Sequence, residues 1–430
     1  MSYQKIKGTL DFIGIDSERR RYVENVARSV MKSYNISEII TPVFEQTEVF
    51  NRSSGESSDI VTKEMYTFLD KGNRSITLRP EGTASIIRAF LENKLYALPG
   101  VKKYFYNLPM YRYERPQAGR YREFVQFGVE FFGEESYMLD ADVIVLGDTI
   151  LKKLGLNGKY KIVINTIGDL ESRNNYQNAL KQYFSNKIDD LCEDCKKRLD
   201  KNPMRILDCK VDKDNPILLN APKISEYLSD NSKEYFTNLL KVLDYLQIEY
   251  EINPSLVRGL DYYTDTVFEF ISKGDEKDPV SSLKNVAILA GGRYSGLTKI
   301  LGGPDVPGIG FAFGVERVTN LLAYYDLLPT LENKVDICLL SLDPDSKNYC
   351  LDICRKLREE GIICEIDYIN NSLKPQFKLA ERVNSRLIGI IGETERLNSS
   401  INIKCPKTGK QETISVKELI KYIKENKGDA

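Results

Sequence analysis

Histidine is absent from all 430 residues of this chain, and so is tryptophan. The first absence removes whole classes of mechanism. No Ser-His-Asp or Cys-His nucleophile pair, no imidazole general base and no imidazole metal ligand can be built from this sequence. Chemistry that needs only orientation and charge neutralisation survives. Compositional drift toward Lys, Asn, Ile and Tyr is the simplest account of the gap. No run approaches the ~18 apolar residues of a membrane span. The N-terminus carries neither an apolar h-region nor an arginine-rich leader, so a soluble cytoplasmic protein with no membrane contact is expected. An excess of either charge is missing too: 61 Lys and Arg face 62 Asp and Glu, so net charge gives no support to nucleic-acid binding. The 8 cysteines are scattered through a long chain and do not read as a disulfide framework. Cys192-x-x-Cys195 with Cys209 has ligand-like spacing, but Cys405 lies in another expected domain and no fourth ligand is evident. Zinc usually takes four, so these are read as free thiols and no metal site is assigned.

The densest chemistry lies between Pro109 and Gly133, PMYRYERPQAGRYREFVQFGVEFFG. It gathers Arg112, Arg115, Arg120, Arg122, Glu114, Glu123 and Glu130 into what reads as two strands joined by a tight loop, with Pro116 and Gly119 as turn residues. Period-2 alternation puts Phe124, Gln126, Gly128 and Glu130 on one face of the returning strand, with Arg112 and Glu114 on the incoming one. Such a face is a poor core. It is a good floor for a phosphate, a flat base and a small zwitterion. No GxxxxGK[ST] loop is present, which counts against a P-loop nucleotide site.

Elsewhere the periodicity predicts an amphipathic helix over 17–34 with Ser17 as its cap. A strand through Ile39 and Ile40, a hairpin around Lys71-Gly72-Asn73 and helices over 82–93 and 139–154 follow. From 172 to 253 the pattern becomes charged, Asn-rich and helical, an insertion into the chemistry on either side. Strands return at 264–272, 286–291 and 309–313, the last entering a helix near Val315. Residues 326–334 read as a linker. Beyond it, short apolar runs at 335–341, 362–368 and 387–392 alternate with helices, the pattern of an α/β domain with a mostly parallel sheet. Lys and Arg number 16 and Asp and Glu 15 over 335–430, so no basic stripe marks that domain.

The block ERPQAGRYREFVQFGVE resembles motif 2 of the class II aminoacyl-tRNA synthetases, and its wording is similar to the histidyl-tRNA synthetase family. IITPVFEQTEVFNR (39–52) is similar to motif 1 and LRPEGTASIIRAF (78–90) to the amino-acid-binding segment. VRGLDYYTDTVFEF (257–270) and AGGRYSGL (290–297) resemble the two histidine-specific signatures, and GIGFAFGVERV (308–318) resembles motif 3. The resemblance runs from about Lys7 to the C-terminus. It implies an α+β class II catalytic domain over 1–325, an antiparallel sheet flanked by helices with the 172–253 helical insertion. The 326–334 linker then leads to an α/β anticodon-binding domain over 335–430. It implies a homodimer whose interface uses the 17–34 helix and the strand after it. The implied reaction is histidine–tRNA ligation: L-histidine and ATP, with Mg2+ on the triphosphate, give histidyl-adenylate and pyrophosphate, and histidine passes to the terminal adenosine of tRNA(His).

Carried over residue by residue, the resemblance gives Arg112 the α-phosphate, Arg317 the far end of the triphosphate, Phe124 the adenine ring and Glu114 the base edge or magnesium. Glu81, Thr83 and Gln126 take the ammonium of histidine, while Glu130 and Tyr263 read its imidazole nitrogens. Gly291, Gly292 and Tyr294 build the tight wall of the pocket. Arg258 stabilises charge in the in-line displacement, with Gln126 assisting at the carboxylate. Arg115, Gln117 and Arg120 face the tRNA acceptor end. The rival expectation is a synthetase-like regulatory subunit that binds histidine without charging tRNA. The presence of Arg112, Arg258, Arg317 and the C-terminal domain weighs against it.

Overall fold

The computed structural model describes residues 3–55, 58, 60–114, 120–209, 211–212, 214–258, 262–274, 285–329, 335–370 and 372–425. The chain divides into two compact units, Met1–Pro329 and Thr330–Ala430.

The first unit is built on an eight-stranded sheet. In spatial order its strands are Ser37–Glu38, Lys102–Tyr111, Glu123–Phe132, Gly308–Gly314, Ala287–Tyr294, Tyr263–Ser272, Tyr160–Thr166 and Glu251–Ile252. The six long strands are antiparallel, and the two-residue strands at the edges join parallel. Alternation along Glu123–Phe132 explains its placement. Phe127, Val129 and Phe131 enter the core beneath the sheet with helices Ile15–Ser33, Tyr137–Lys153 and Val315–Tyr324. The even-numbered side chains point the other way, towards a cavity lined by Phe124, Gln126 and Glu130.

Helix Ile15–Ser33 buries Val23, Ala27, Val30 and Met31 within its own chain. Ser17 is not its cap. The helix begins two residues earlier, where Gly14 takes φ 57° and its carbonyl accepts the Glu18 N–H at 3.2 Å. Asp16 and Glu18 then fall in the first turn, where acidic side chains suit the helix dipole. The tip expected to join the strands at 102–111 and 123–132 lies outside the described residues. The strands stop at Tyr111 and Glu123, and a last ladder bond runs from Arg112 N–H to Arg122 C=O at 2.9 Å. Arg112 and Glu114 therefore stand in the connection, and Pro116 and Gly119 lie outside the described residues. A small sheet of Phe44–Gln46, Ser75–Leu78 and Tyr66–Leu69 carries the hairpin at 71–73, with Asn73 at φ 58°.

Helices Leu170–Ser185, Glu193–Lys201 and Asp230–Tyr245 are the long elements of the 172–253 segment. Leu239 and Leu243 join the core beneath the sheet. Tyr176, Leu180, Cys195 and Ile206 share a second apolar cluster with Tyr106, Tyr263 and Tyr294 on the cavity side.

The second unit has a five-stranded sheet in the order Cys364–Ile366, Ile337–Ser341, Leu387–Ile391, Ser400–Lys404, Gln411–Ser415. The first three are parallel, as strand–helix alternation implies. The last two form an antiparallel hairpin that apolar runs alone did not reveal, because its strands carry only two apolar residues and one, respectively. Among the described residues no helix is long and apolar enough to cross a membrane.

Candidate active site

Glu81, Thr83, Arg112, Glu114, Arg120, Phe124, Gln126, Glu130, Arg258, Tyr263, Tyr294 and Arg317 all line one cavity on the upper face of the eight-stranded sheet. Arg115 and Gln117 lie outside the described residues.

One end of the cavity is buried. Glu130 projects from its strand and accepts the Thr83 hydroxyl at 2.7 Å on one oxygen and the Tyr294 hydroxyl at 2.6 Å on the other. Glu81, just before helix Thr83–Glu92, accepts the N–H groups of Thr83 and Ala84 at 2.8 Å each, satisfying two donors of the helix start. Burial pushes the Glu130 carboxyl up to about 8, opposed by its Tyr294 and Thr83 hydrogen bonds and aided by the nearby Glu81. Burial raises Glu81 as well, against its two backbone donors. Tyr294 thus does more than wall the pocket: it holds one oxygen of Glu130.

Two buried polar atoms in this cavity have no partner, the Gln126 Oε1 acceptor and the Arg258 Nε donor. Leaving such a group unpaired costs about 1–3 kcal/mol. A ligand carrying both an ammonium and a carboxylate supplies what each lacks. Arg258 is anchored by an ion pair with Glu269, and its guanidinium carbon lies 5.6 Å from the centroid of the Tyr263 ring.

The other end is ionic. Arg112 donates to the Pro80 carbonyl at 2.7 Å and lies 3.9 Å from Glu114, which also pairs with Arg120 at 3.2 Å. The Arg112 guanidinium stands 5.3 Å from the Phe124 centroid. Arg317, two residues into helix Val315–Tyr324, donates to the Ala287 carbonyl at 2.8 Å. Burial, together with the like charges of Arg120 and Arg112, holds its guanidinium below the ordinary value. Three arginines and one nearby carboxylate make a positive corner that favours a polyanion.

Glycines set the clearances. A Cβ on Gly310 would stand 2.2 Å from Glu130 Oε2, so the carboxylate occupies the space that glycine leaves. Gly291 and Gly292 do not line the cavity. A Cβ on Gly291 would meet the Gly310 carbonyl at 2.2 Å, and one on Gly292 the Tyr263 ring at 2.8 Å, so they allow close strand and ring approach.

Several supporting residues escaped the sequence reading. Arg79 is buried and donates to the carbonyls of Thr41, Pro42 and Pro109 at 2.7–2.9 Å, tying the motif 1 segment to the 102–111 strand. Arg293 and Asp140 form a fully buried pair, and Thr266 and Tyr235 also donate to that carboxylate. Glu316 accepts the Val125 N–H at 3.0 Å. Arg293 had a visible signal: it is the lone charge in the strand AILAGGRY, tolerable in a buried strand only when paired.

With this geometry in hand, comparison with known proteins is direct. The profile of the family described as Histidyl-tRNA synthetase matches residues 8–318. The chain belongs to the histidyl-tRNA synthetase family. A second profile, described as Anticodon binding domain, matches residues 334–426. Relatives named histidine–tRNA ligase from Bacillus licheniformis and Bacillus subtilis are each 46% identical, over 99% of this chain and of their own. The solved structure of apo Staphylococcus aureus histidyl-tRNA synthetase is 38% identical, with a TM-score of 0.84 over 98% of this chain and 100% of that one. A Bacillus halodurans chain described as an ATP phosphoribosyltransferase regulatory subunit/histidyl-tRNA synthetase shares the fold alone, at 20% identity and a TM-score of 0.64 over 91% of this chain and 98% of its own. The class II synthetase fold with an anticodon-binding domain is the fold of this chain.

Proposed function

We infer that this chain is a histidine–tRNA ligase. It activates L-histidine with ATP to histidyl-adenylate, releases pyrophosphate, and passes histidine to the 3′-terminal adenosine of tRNA(His). The observation that carries the site assignment is the pairing of orphans beside a held carboxylate. Gln126 Oε1 and Arg258 Nε lack partners in the cavity where Thr83 and Tyr294 grip Glu130.

The ammonium of histidine would be received by Glu81, Thr83 and Gln126. Glu130 and Tyr263 read the imidazole, a ring with one donor and one acceptor when neutral. An amino acid lacking such a ring would leave these buried groups unpaired, which is how a polar pocket rejects it. The substrate carboxylate is already ionised, so its attack on the α-phosphorus needs no base. Arg258 and Arg112 neutralise charge as the pentavalent centre forms. Arg317 holds the far phosphates, and adenine stacks on Phe124. Magnesium arrives with the triphosphate, and Glu114 is the carboxylate among the arginines that can hold it or the base edge.

For tRNA, Arg115, Gln117 and Arg120 belong to the connection that would meet the acceptor end, the arginines chiefly at phosphate. We place the enzyme in the cytoplasm, with its substrates, and as a homodimer. Support for the dimer comes from apolar side chains left exposed near motif 1: Ile40, Phe44, Phe68 and Leu69. Light scattering should give twice the chain mass.

ATP–pyrophosphate exchange with each of the twenty amino acids tests the activity. Exchange with histidine alone is expected. Tight histidine binding without exchange would favour the regulatory-subunit reading instead.

A further inference from the structure

Within the helical segment, four potential ligand atoms converge. Cys192 precedes helix Glu193–Lys201 as its N-cap and Cys195 lies in its first turn. Cys209 follows the short Pro203–Ile206 turn, and Asp212 comes three residues later. The three thiol sulfurs and one carboxylate oxygen all lie within 4.8 Å of one another. Cys192 Sγ is 3.6 Å from Cys209 Sγ, which is 3.4 Å from Asp212 Oδ2.

These separations have a geometric meaning. A disulfide needs sulfurs about 2.05 Å apart. A tetrahedral zinc ion with Zn–S of about 2.3 Å and Zn–O of about 2.0 Å places its sulfurs about 3.8 Å apart and sulfur and oxygen about 3.5 Å apart. The Cys192–Cys209 and Cys209–Asp212 pairs sit close to those edges, and every other pair lies within 4.8 Å. Asp212 Oδ2 also accepts the Cys192 N–H at 3.0 Å, and the Asp212 N–H points to Cys209 Sγ at 3.4 Å. Backbone donors of this kind orient ligands and offset their negative charge. Along the chain, Cys192-x-x-Cys195 and Cys209-x-x-Asp212 are two arms of equal spacing, the layout of a two-armed zinc site with aspartate in one position. Asp212 supplies the fourth donor that cysteine and histidine alone do not provide.

We propose that Cys192, Cys195, Cys209 and Asp212 form a structural site for one zinc ion. Three thiolates select a soft or borderline cation over magnesium or calcium. Four protein ligands close the coordination sphere and leave no position for a substrate. Binding releases the thiol protons to solvent and involves no redox change. Cys195 and Cys209 share their apolar cluster with Met204, Ile206, Tyr262 and Tyr263, so the ion fixes a segment packed behind the amino-acid pocket.

Full-length protein, purified without chelators from zinc-containing medium, should carry one zinc per chain by elemental mass spectrometry. Replacing zinc with Co2+ should give thiolate-to-metal absorption in the near ultraviolet and the strong visible bands of a tetrahedral site. Asp212→Ala, at a partly exposed position, should still fold yet retain zinc at least about 100-fold more weakly, more than loss of an outer-shell partner costs. Cys405→Ser, in the other unit, should leave zinc content unchanged. Wild-type protein that takes up no metal from equimolar zinc, with Cys192 and Cys209 open to a thiol reagent or joined as a disulfide, would overturn the site. Equal zinc retention by Asp212→Ala would remove aspartate from it.

Discussion

At the buried end of the cavity, proposed for the amino acid, Glu130 accepts the hydroxyls of Thr83 and Tyr294, all three being buried. At the ionic end, proposed for the phosphates, Arg112, Glu114 and Arg120 keep partial exposure and Glu114 pairs with both arginines. The first arrangement is ready before its ligand arrives, so little ordering cost falls on binding. The second must exchange partners: a phosphate has to draw the arginines from Glu114, and only a ligand with several negative charges repays that exchange. Under the proposed function, selectivity would belong to the first end and charge capture to the second.

Arg258 lines the cavity with its Nε unpartnered, and its loss should hurt most. Arg258→Ala is expected to slow pyrophosphate exchange by roughly 10²–10³, by analogy with a lost oxyanion donor. Histidine affinity should change far less, and near-normal turnover would remove Arg258 from the displacement.

Glu130→Gln probes the buried end. An amide in place of this buried carboxyl sets an NH2 donor against one of the two hydroxyls that donate to it, and should raise the KM for histidine roughly 10–100-fold, equivalent to about 1–3 kcal/mol. The KM for ATP should hold. The same variant carries a stability signature. Because the folded Glu130 carboxyl sits near 8, above its ordinary value, the native state binds more protons between the two values. Its contribution to stability is complete at low pH and is lost as pH rises towards about 8. Melting curves of wild type and Glu130→Gln should therefore diverge as pH rises from 5 to 8, the wild type losing more.

A smaller effect separates two glycines on the same strand. Gly310→Ala puts a methyl against Glu130 and the Val129 carbonyl, at 2.2 Å from each, and should destabilise by about 1–3 kcal/mol while weakening histidine binding. Gly314→Ala meets nothing nearer than Arg317 Cβ at 3.7 Å and should leave the melting temperature almost unchanged. Smallest of all, Arg120→Ala should alter stability by less than about 1 kcal/mol, since its pairing with Glu114 is partly solvated. A deficit confined to tRNA charging, with exchange intact, would place Arg120 at the acceptor end.

Local pattern carried much of this architecture. Alternation along 123–132 identified which side chains face the cavity, and the apolar run at 309–313 entering a helix matches Gly308–Gly314 and Val315–Tyr324. Features settled by distant partners stayed hidden. Arg293 finds Asp140 across 153 residues, and neither position announces the other. The first helix starts ahead of Ser17 because Gly14, at φ 57°, supplies the backbone geometry of its start. In the second unit the final hairpin gave no apolar run, because 400–404 buries only the alternating Ile401 and Ile403 and 411–415 holds a single apolar residue, Ile414.

The grip of Thr83 and Tyr294 on Glu130 has a spectroscopic consequence. The chain contributes no imidazole, so in a complex of untagged protein with histidine the ligand ring is the only one present. Its nitrogen resonances would appear without a competing side chain. They would report directly which ring nitrogen carries the proton beside Glu130, and how that proton is shared with the carboxylate as pH changes.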